Sequence, residues 1–149
     1  EAVCTNRALG DFPIKALPLD IGVRRPLGVG AGGLAILCAM PETEAHAIIQ
    51  NNAHRYLKFA TFSVDFLRQA VDQGRVQGYS FLDSAVTPGT AAIAATTPGT
   101  AVTEPAAVLA SIKLLMKVLK RAMNEFESPL VITSYAIFSG NAVAIKIFT

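Results

Sequence analysis

The uncharged segment from Pro26 to Pro41 constrains the fold of this chain more than any other. Four glycines lie near its start, and the run Leu34-Ala-Ile-Leu-Cys-Ala-Met40 that follows is rich in good helix formers. Pro41 is expected to end that helix, because proline lacks the N–H that an α-helix needs and clashes with the preceding turn. The segment predicts a tight turn that leads directly into a short, buried, apolar helix.

The glycines Gly28, Gly30 and Gly33 match the Gly-x-Gly-x-x-Gly fingerprint of dinucleotide-binding proteins. That fingerprint follows a buried hydrophobic strand, whereas the residues before it here include Arg24, Arg25 and a proline, which predict no strand. We therefore do not interpret the motif as a nucleotide site. Two interpretations stay open: free backbone N–H groups that hold a carboxylate, or glycines that only form a turn and allow close helix packing.

The remaining sequence predicts one α+β domain over residues 1–149, because strand and helix signals do not alternate regularly. Residues 1–20 are expected to be extended. Helices and strands are then expected at about Thr43–Leu57 (helix), Ser63–Gly74 (helix), Ala91–Ala95 (strand) and Pro105–Glu127 (helix), with a closing hairpin of Leu130–Phe138 and Ala142–Phe148.

Composition excludes several classes of protein. With 52% hydrophobic and 16% charged residues, the chain is too apolar to be disordered, and a net charge of +2 is too small for a free-standing nucleic-acid binder. Cys4 and Cys38 are too isolated to suggest a disulfide framework or a zinc site, which favours a reducing compartment. No segment predicts a membrane span, and no residue pattern predicts a metal or a cofactor.

No catalytic motif is recognisable in the sequence. His46 and His54 lie on one predicted helix and are expected at the surface, and Cys38 is expected to be a small buried hydrophobe. We expect a protein that is not an enzyme. The alternative is a small enzyme that uses the Gly28–Gly33 turn as an anion cradle, which would need a nucleophile and a base nearby.

The segment from Asp20 to Leu37 resembles the effector-binding domain of the IclR family of bacterial transcriptional regulators. The resemblance rests on the motif Gly-x-Arg-x-Pro-Leu, which is present as Gly22 to Leu27, followed by a turn of small residues and a helix with a Leu-Ala pair. It extends over roughly residues 1–95, through Gly78-Tyr79, Asp83 and Pro88-Gly89.

This resemblance implies a GAF-like antiparallel sheet flanked by helices, joined in the whole protein to an N-terminal winged helix-turn-helix domain that this chain does not contain. Family members bind small metabolites, often organic or aromatic acids. The residues of this chain that correspond to the family's pocket are Gly30, Ala31, Gly32, Asp83 and Ala92, with Lys146 added if the closing hairpin supplies the pocket strand.

The partners implied are a small carboxylic acid effector, DNA only through the missing domain, and further copies of the chain as a dimer or tetramer in the cytoplasm. A mean hydropathy of +0.43 also favours self-association, because so few charges leave apolar surface to be covered. The predicted long helix also favours self-association, because its apolar arc between Val108 and Phe126 is wider than the one face that would pack on the sheet.

Overall fold

The computed structural model describes residues 1–9, 20–83, 85–86, 90–96, 131–138 and 142–148. The fold is α+β. The chain forms its elements in the order β1 (Ala2–Leu9), β2 (Arg24–Arg25), α1 (Ala31–Ala39), α2 (Glu42–Asn51), α3 (Ala53–Tyr56), α4 (Val64–Gln77), β3 (Ser80–Asp83), β4 (Thr90–Thr96), β5 (Val131–Phe138) and β6 (Ala142–Phe148).

The six strands form one sheet in the order β2-β1-β5-β6-β4-β3, and every pair is antiparallel. The predicted closing hairpin is confirmed, since β5 pairs with β6 from Val131↔Phe148 to Phe138↔Ala142. This hairpin occupies the middle of the sheet and joins β1 on one side to β4 on the other. The end of the sequence therefore supplies the centre of the sheet.

A short strand precedes the glycines, so the prediction of no strand there was wrong. Ala2 pairs with Arg25 and Val3 with Arg24. Backbone N–H and C=O groups at the edge of a sheet readily pair with a neighbouring extended segment. β2 is nevertheless only two residues long, with Arg24 exposed and Arg25 half-buried. It is not the buried apolar strand of a dinucleotide fold.

The first two helical segments differ from prediction. α1 starts at Ala31, within the glycine cluster, and ends at Ala39 as Pro41 predicts. The helix expected from Thr43 to Leu57 is divided at Asn52, whose side-chain Nδ2 and backbone N–H both donate to the carbonyl of Ile48, at 3.0 and 3.1 Å. A side-chain amide that competes for a helical carbonyl in this way favours a break.

α4 begins as predicted but continues past its expected end. The Ser63 hydroxyl accepts a hydrogen bond from the Phe66 N–H at 3.1 Å, which is the expected N-cap. The helix passes through Gly74 and ends at Gly78, which adopts the left-handed conformation at φ 79°. Gly74 is needed for packing, because a Cβ there would lie 2.5 Å from the Sγ of Cys38 in α1.

α1 lies between the sheet and α4 and forms the centre of the core. Its residues from Ala31 to Leu37 are all buried, which explains why this helix is apolar all round rather than on one face. The large buried aliphatic side chains of this part of the core are Leu34 and Leu37 of α1 and Ile49, Leu67 and Val71 of the helices beside it.

The predicted helix from Pro105 to Glu127 lies outside the described residues. Within the described ranges, no helix is long and apolar enough to cross a membrane.

Candidate functional site

The glycine turn, which we define as residues 28–33, contains two glycines with positive φ that serve different purposes. At Gly28, where φ is 97°, an added Cβ would lie 2.9 Å from a methyl group of Leu67, so this glycine allows α4 to pack closely. At Gly30, where φ is 83°, an added Cβ would meet no described residue within 4 Å. Among the described residues, Gly30 therefore has space beside its Cα, while Gly28 borders the core.

A buried hydrogen bond supports the turn from the side of α3. The hydroxyl of Tyr56 donates to the carbonyl of Leu27 at 2.7 Å, and Tyr56 is only 1% exposed. Burial raises the pKa of this hydroxyl to about 12, so it remains a donor at neutral pH. The turn is thus attached to a helix more than twenty residues away in sequence.

The start of α1 presents backbone N–H groups without acceptors. Gly30 provides no side-chain cap, and the first turn contains no acidic residue. Among the described residues, no acceptor pairs with the N–H groups of Ala31, Gly32 or Gly33, although all three residues are buried. A helix N-terminus attracts anions through such groups and through the helix dipole. The local chemistry suits a carboxylate.

Ser80 fixes this end of α1 to the sheet, and sequence reasoning missed it. Its hydroxyl donates to the carbonyl of Ala31 at 2.7 Å and lies 3.4 Å from the carbonyl of Ala94 in β4. Ser80 is 1% exposed and is the only buried polar residue among those described. The one signal in the sequence was a serine beside Phe81 and Leu82 at the start of an apolar strand.

The register of the sheet brings Ala92 and Lys146 together. They are direct partners across β4 and β6, and Ala92 also pairs with Leu82 of β3. Leu82 and Ala92 both pack in the core around α1. Because directly opposed residues share a face of a sheet, Ala92 lies on the face that carries α1.

Asp83 and Ala92 lie on opposite faces of the sheet. Asp83 pairs with Ala91, one place along from the Leu82–Ala92 pair, and it is exposed. Successive residues of a strand point to opposite faces, so the register sets Asp83 on the face opposite Ala92. The structure does not bring these two predicted site residues together.

The cysteines and histidines are the other residues with side chains suited to catalysis or metal binding. Cys4 is buried, and Cys38 is half-buried with its Sγ 3.7 Å from the carbonyl of Val71. Burial raises the pKa of the Cys38 thiol to about 11. His54 is exposed as predicted, but His46 is half-buried against expectation. No group of three His, Cys, Asp or Glu residues in the described ranges could hold a metal ion.

Comparison with known proteins adds a family and a fold. Residues 15–134 match the family model for the C-terminal domain of the bacterial transcriptional regulator IclR. No curated protein sequence is significantly similar to the chain.

Two solved structures resemble the fold. The effector domain of a putative IclR transcriptional regulator from Acinetobacter sp. ADP1 superposes with a TM-score of 0.52 at 14% identity, over 89% of this chain and 57% of that one. A putative transcriptional regulator from Rhodococcus sp. RHA1 gives a TM-score of 0.56 at 16% identity, over 97% of this chain and 47% of that one. This chain thus spans about half the length of either protein.

Proposed function

This chain belongs to the family of C-terminal domains of the bacterial transcriptional regulator IclR, and from that premise we propose that it is a ligand-sensing module. In this proposal it binds a small organic acid and thereby changes the DNA affinity of an attached domain. It acts in the cytoplasm, associates with further copies of itself, and catalyses no reaction.

The observation that carries the proposal is the start of α1. Among the described residues, nothing lies within 4 Å of a Cβ built on Gly30, and no acceptor pairs with the N–H groups of the buried residues Ala31, Gly32 and Gly33. A buried N–H group without an acceptor costs about 1–3 kcal/mol, so a carboxylate that supplies acceptors is stabilised there. The same position is the one that the family resemblance assigns to the effector.

Ala92 and Lys146 complete the proposed site on the sheet. Ala92 lies on the α1 face of the sheet, where it is partly buried against the core. Lys146 is its register partner in β6. The proposal gives Lys146 the role of balancing the charge of the acid, and it gives Asp83 no direct contact.

A thermal-shift screen of small carboxylic acids tests the proposal, with Gly30→Val as the site variant. A ligand at 100 times its Kd raises the free energy of unfolding by about 2.7 kcal/mol. Gly30→Val is expected to abolish the shift, because a branched side chain fills the space next to the unpaired N–H groups.

Gly22→Val is the matched control for backbone strain. Gly22 also has a positive φ, 86°, and a Cβ there would also meet no described residue within 4 Å, but it lies in the turn before β2. Both substitutions place a β-branched residue at a positive φ, which strains the backbone, so both lower the free energy of unfolding. We expect only Gly30→Val to remove binding. Equal ligand shifts in the two variants would exclude the glycine turn as the effector site.

A further inference from the structure

A cavity lies beside the C-terminal half of α1, away from the glycine turn. Its volume is about 160 Å³, and it lies where α1, α4 and the start of β3 meet the end of β4. Two of its lining residues, Ala39 and Gly78, are exposed to solvent. The described lining consists of Ala35, Cys38, Ala39, Gly74, Arg75, Gly78, Tyr79, Ser80, Ala95 and Thr96. None of the predicted effector residues is among them.

The charge of the lining selects the kind of molecule that fits. Arg75 is the only Asp, Glu, Lys, Arg or His among the described lining residues, and burial raises the pKa of the Cys38 thiol beside it to about 11. No carboxylate belongs to the described wall, although Glu42 lies 3.9 Å from the Arg75 Nη1 outside it and the charge of Asp72 acts on Cys38. Arg75 is thus the group of the described wall that can pair with a small anion.

Arg75 itself has hydrogen-bonding capacity left over. Its Nη2 donates to the carbonyl of Met40 at 2.7 Å, but its Nε is buried and has no acceptor within the described residues. The ion pair with Glu42 is loose, at 3.9 Å from Nη1, and the Glu42 side chain is 67% exposed. A solvated pair of this kind contributes little, so it competes weakly with a ligand carboxylate.

The size of the cavity limits the rest of the ligand. An apolar protein cavity of about 150 Å³ accommodates benzene, so a space of about 160 Å³ accommodates a hydrocarbon group and a carboxylate of similar total size. Three alanines and two glycines in the lining leave this space free. We propose that this cavity is a second binding site, distinct from the glycine turn, for a small monocarboxylate whose charged group pairs with Arg75.

Protection of Cys38 provides a direct test, because this thiol lies in the cavity wall while Cys4 is fully buried. The probe is isobutyrate, which has as many non-hydrogen atoms as benzene, and its neutral isostere isobutyramide is the control. Methylthiolation of Cys38 by methyl methanethiolsulfonate is followed by mass spectrometry at pH 9. We expect isobutyrate at concentrations on the order of millimolar, as suits so small a ligand, to slow labelling at least about 5-fold, and isobutyramide to have little effect.

Three variants of the full chain locate the effect. Ala39→Leu fills part of the cavity from an exposed helical position and is expected to abolish protection. Arg75→Met keeps the aliphatic stem and should raise the concentration for half-protection at least about 10-fold, as the loss of a charge-assisted hydrogen bond predicts. Arg68→Met is the matched control, since Arg68 lies on the same helix two turns earlier and bonds Gln50 outside the cavity.

The result also separates this proposal from the proposed effector site. Gly30→Val is expected to leave protection by isobutyrate unchanged, whichever way the effector screen turns out. Equal protection by isobutyramide, or protection that survives Ala39→Leu and disappears in Gly30→Val, would overturn the second site. Failure of Arg75→Met to fold does not affect the test, because Ala39→Leu and the amide control decide it independently.

Discussion

The hydroxyl of Tyr56 donates a hydrogen bond to the carbonyl of Leu27 across 2.7 Å of buried space. Tyr56 closes the short helix α3, and Leu27 is the residue before the glycine turn. The contact fixes the residue before the turn to α3. The geometry of the glycine turn thus depends on a residue that lies outside the turn.

Tyr56→Phe is expected to lower the free energy of unfolding by about 1–3 kcal/mol, because it leaves the buried Leu27 carbonyl without a donor. Chemical denaturation measures the loss. Tyr79→Phe is the matched control: Tyr79 is also buried, and its hydroxyl makes no hydrogen bond to any described residue. If the two variants lost the same stability, the Tyr56–Leu27 bond would not be what supports the turn.

Stability is expected to fall in alkaline solution. Burial raises the pKa of Cys38 from 9.0 to about 11 and that of Tyr56 from 10.0 to about 12. Below pH 9 both groups are protonated in the folded and unfolded chain, so their contribution is constant. As pH rises from 9 to 12 the unfolded chain releases protons that the folded chain retains, and the free energy of unfolding decreases.

Cys38 and Tyr56 each contribute to the decrease in the free energy of unfolding, and a variant of each measures its contribution. Tyr56→Phe should flatten the pH profile between 10 and 12, and Cys38→Ser should flatten it between 9 and 11, each by on the order of 1 kcal/mol. Urea denaturation at a series of pH values measures both. A wild-type profile that stays level from pH 9 to 12 would contradict the buried environment of the two groups.

Asp83→Asn is expected to change effector affinity by less than about 3-fold. The register pairs Asp83 with Ala91, so its carboxylate belongs to the face opposite Ala92. Titration calorimetry with an acid found in the screen, at pH 5 and pH 8, provides the measurement. A wild-type affinity that fell steeply with rising pH, and a flat profile in Asp83→Asn, would instead place the carboxyl beside the ligand and show that it takes up a proton.

The chain is expected to associate with itself. Few charged residues and a mean hydropathy of +0.43 favour burial of apolar surface between copies, most simply about a closed two-fold axis. Light scattering at micromolar concentration should give at least twice the chain mass of 15.7 kDa. A mass equal to that of a single chain at micromolar concentration would refute self-association. The apolar residues would then have to be buried by packing within one chain.

The sequence by itself determined the local elements and the family. Pro41 ends α1 because proline cannot continue a helix, and Ser63 begins α4 because its hydroxyl replaces a missing acceptor. The two β-rich runs at the end predicted β5 and β6. Each of these signals depends on neighbours along the chain, and so does the Gly22–Leu27 motif that indicated the family.

Tertiary structure alone decided how these elements meet. Gly74 was predicted to end a helix but lies inside α4. A glycine is needed there because the side chain of Cys38 occupies the space that a Cβ would fill. The face of the sheet to which Asp83 belongs follows from its pairing with Ala91, and a shift of one residue would reverse it. Ser80 gained its role only when the chain brought Ala31 within 2.7 Å. Such contacts join residues far apart in sequence, so no local pattern encodes them.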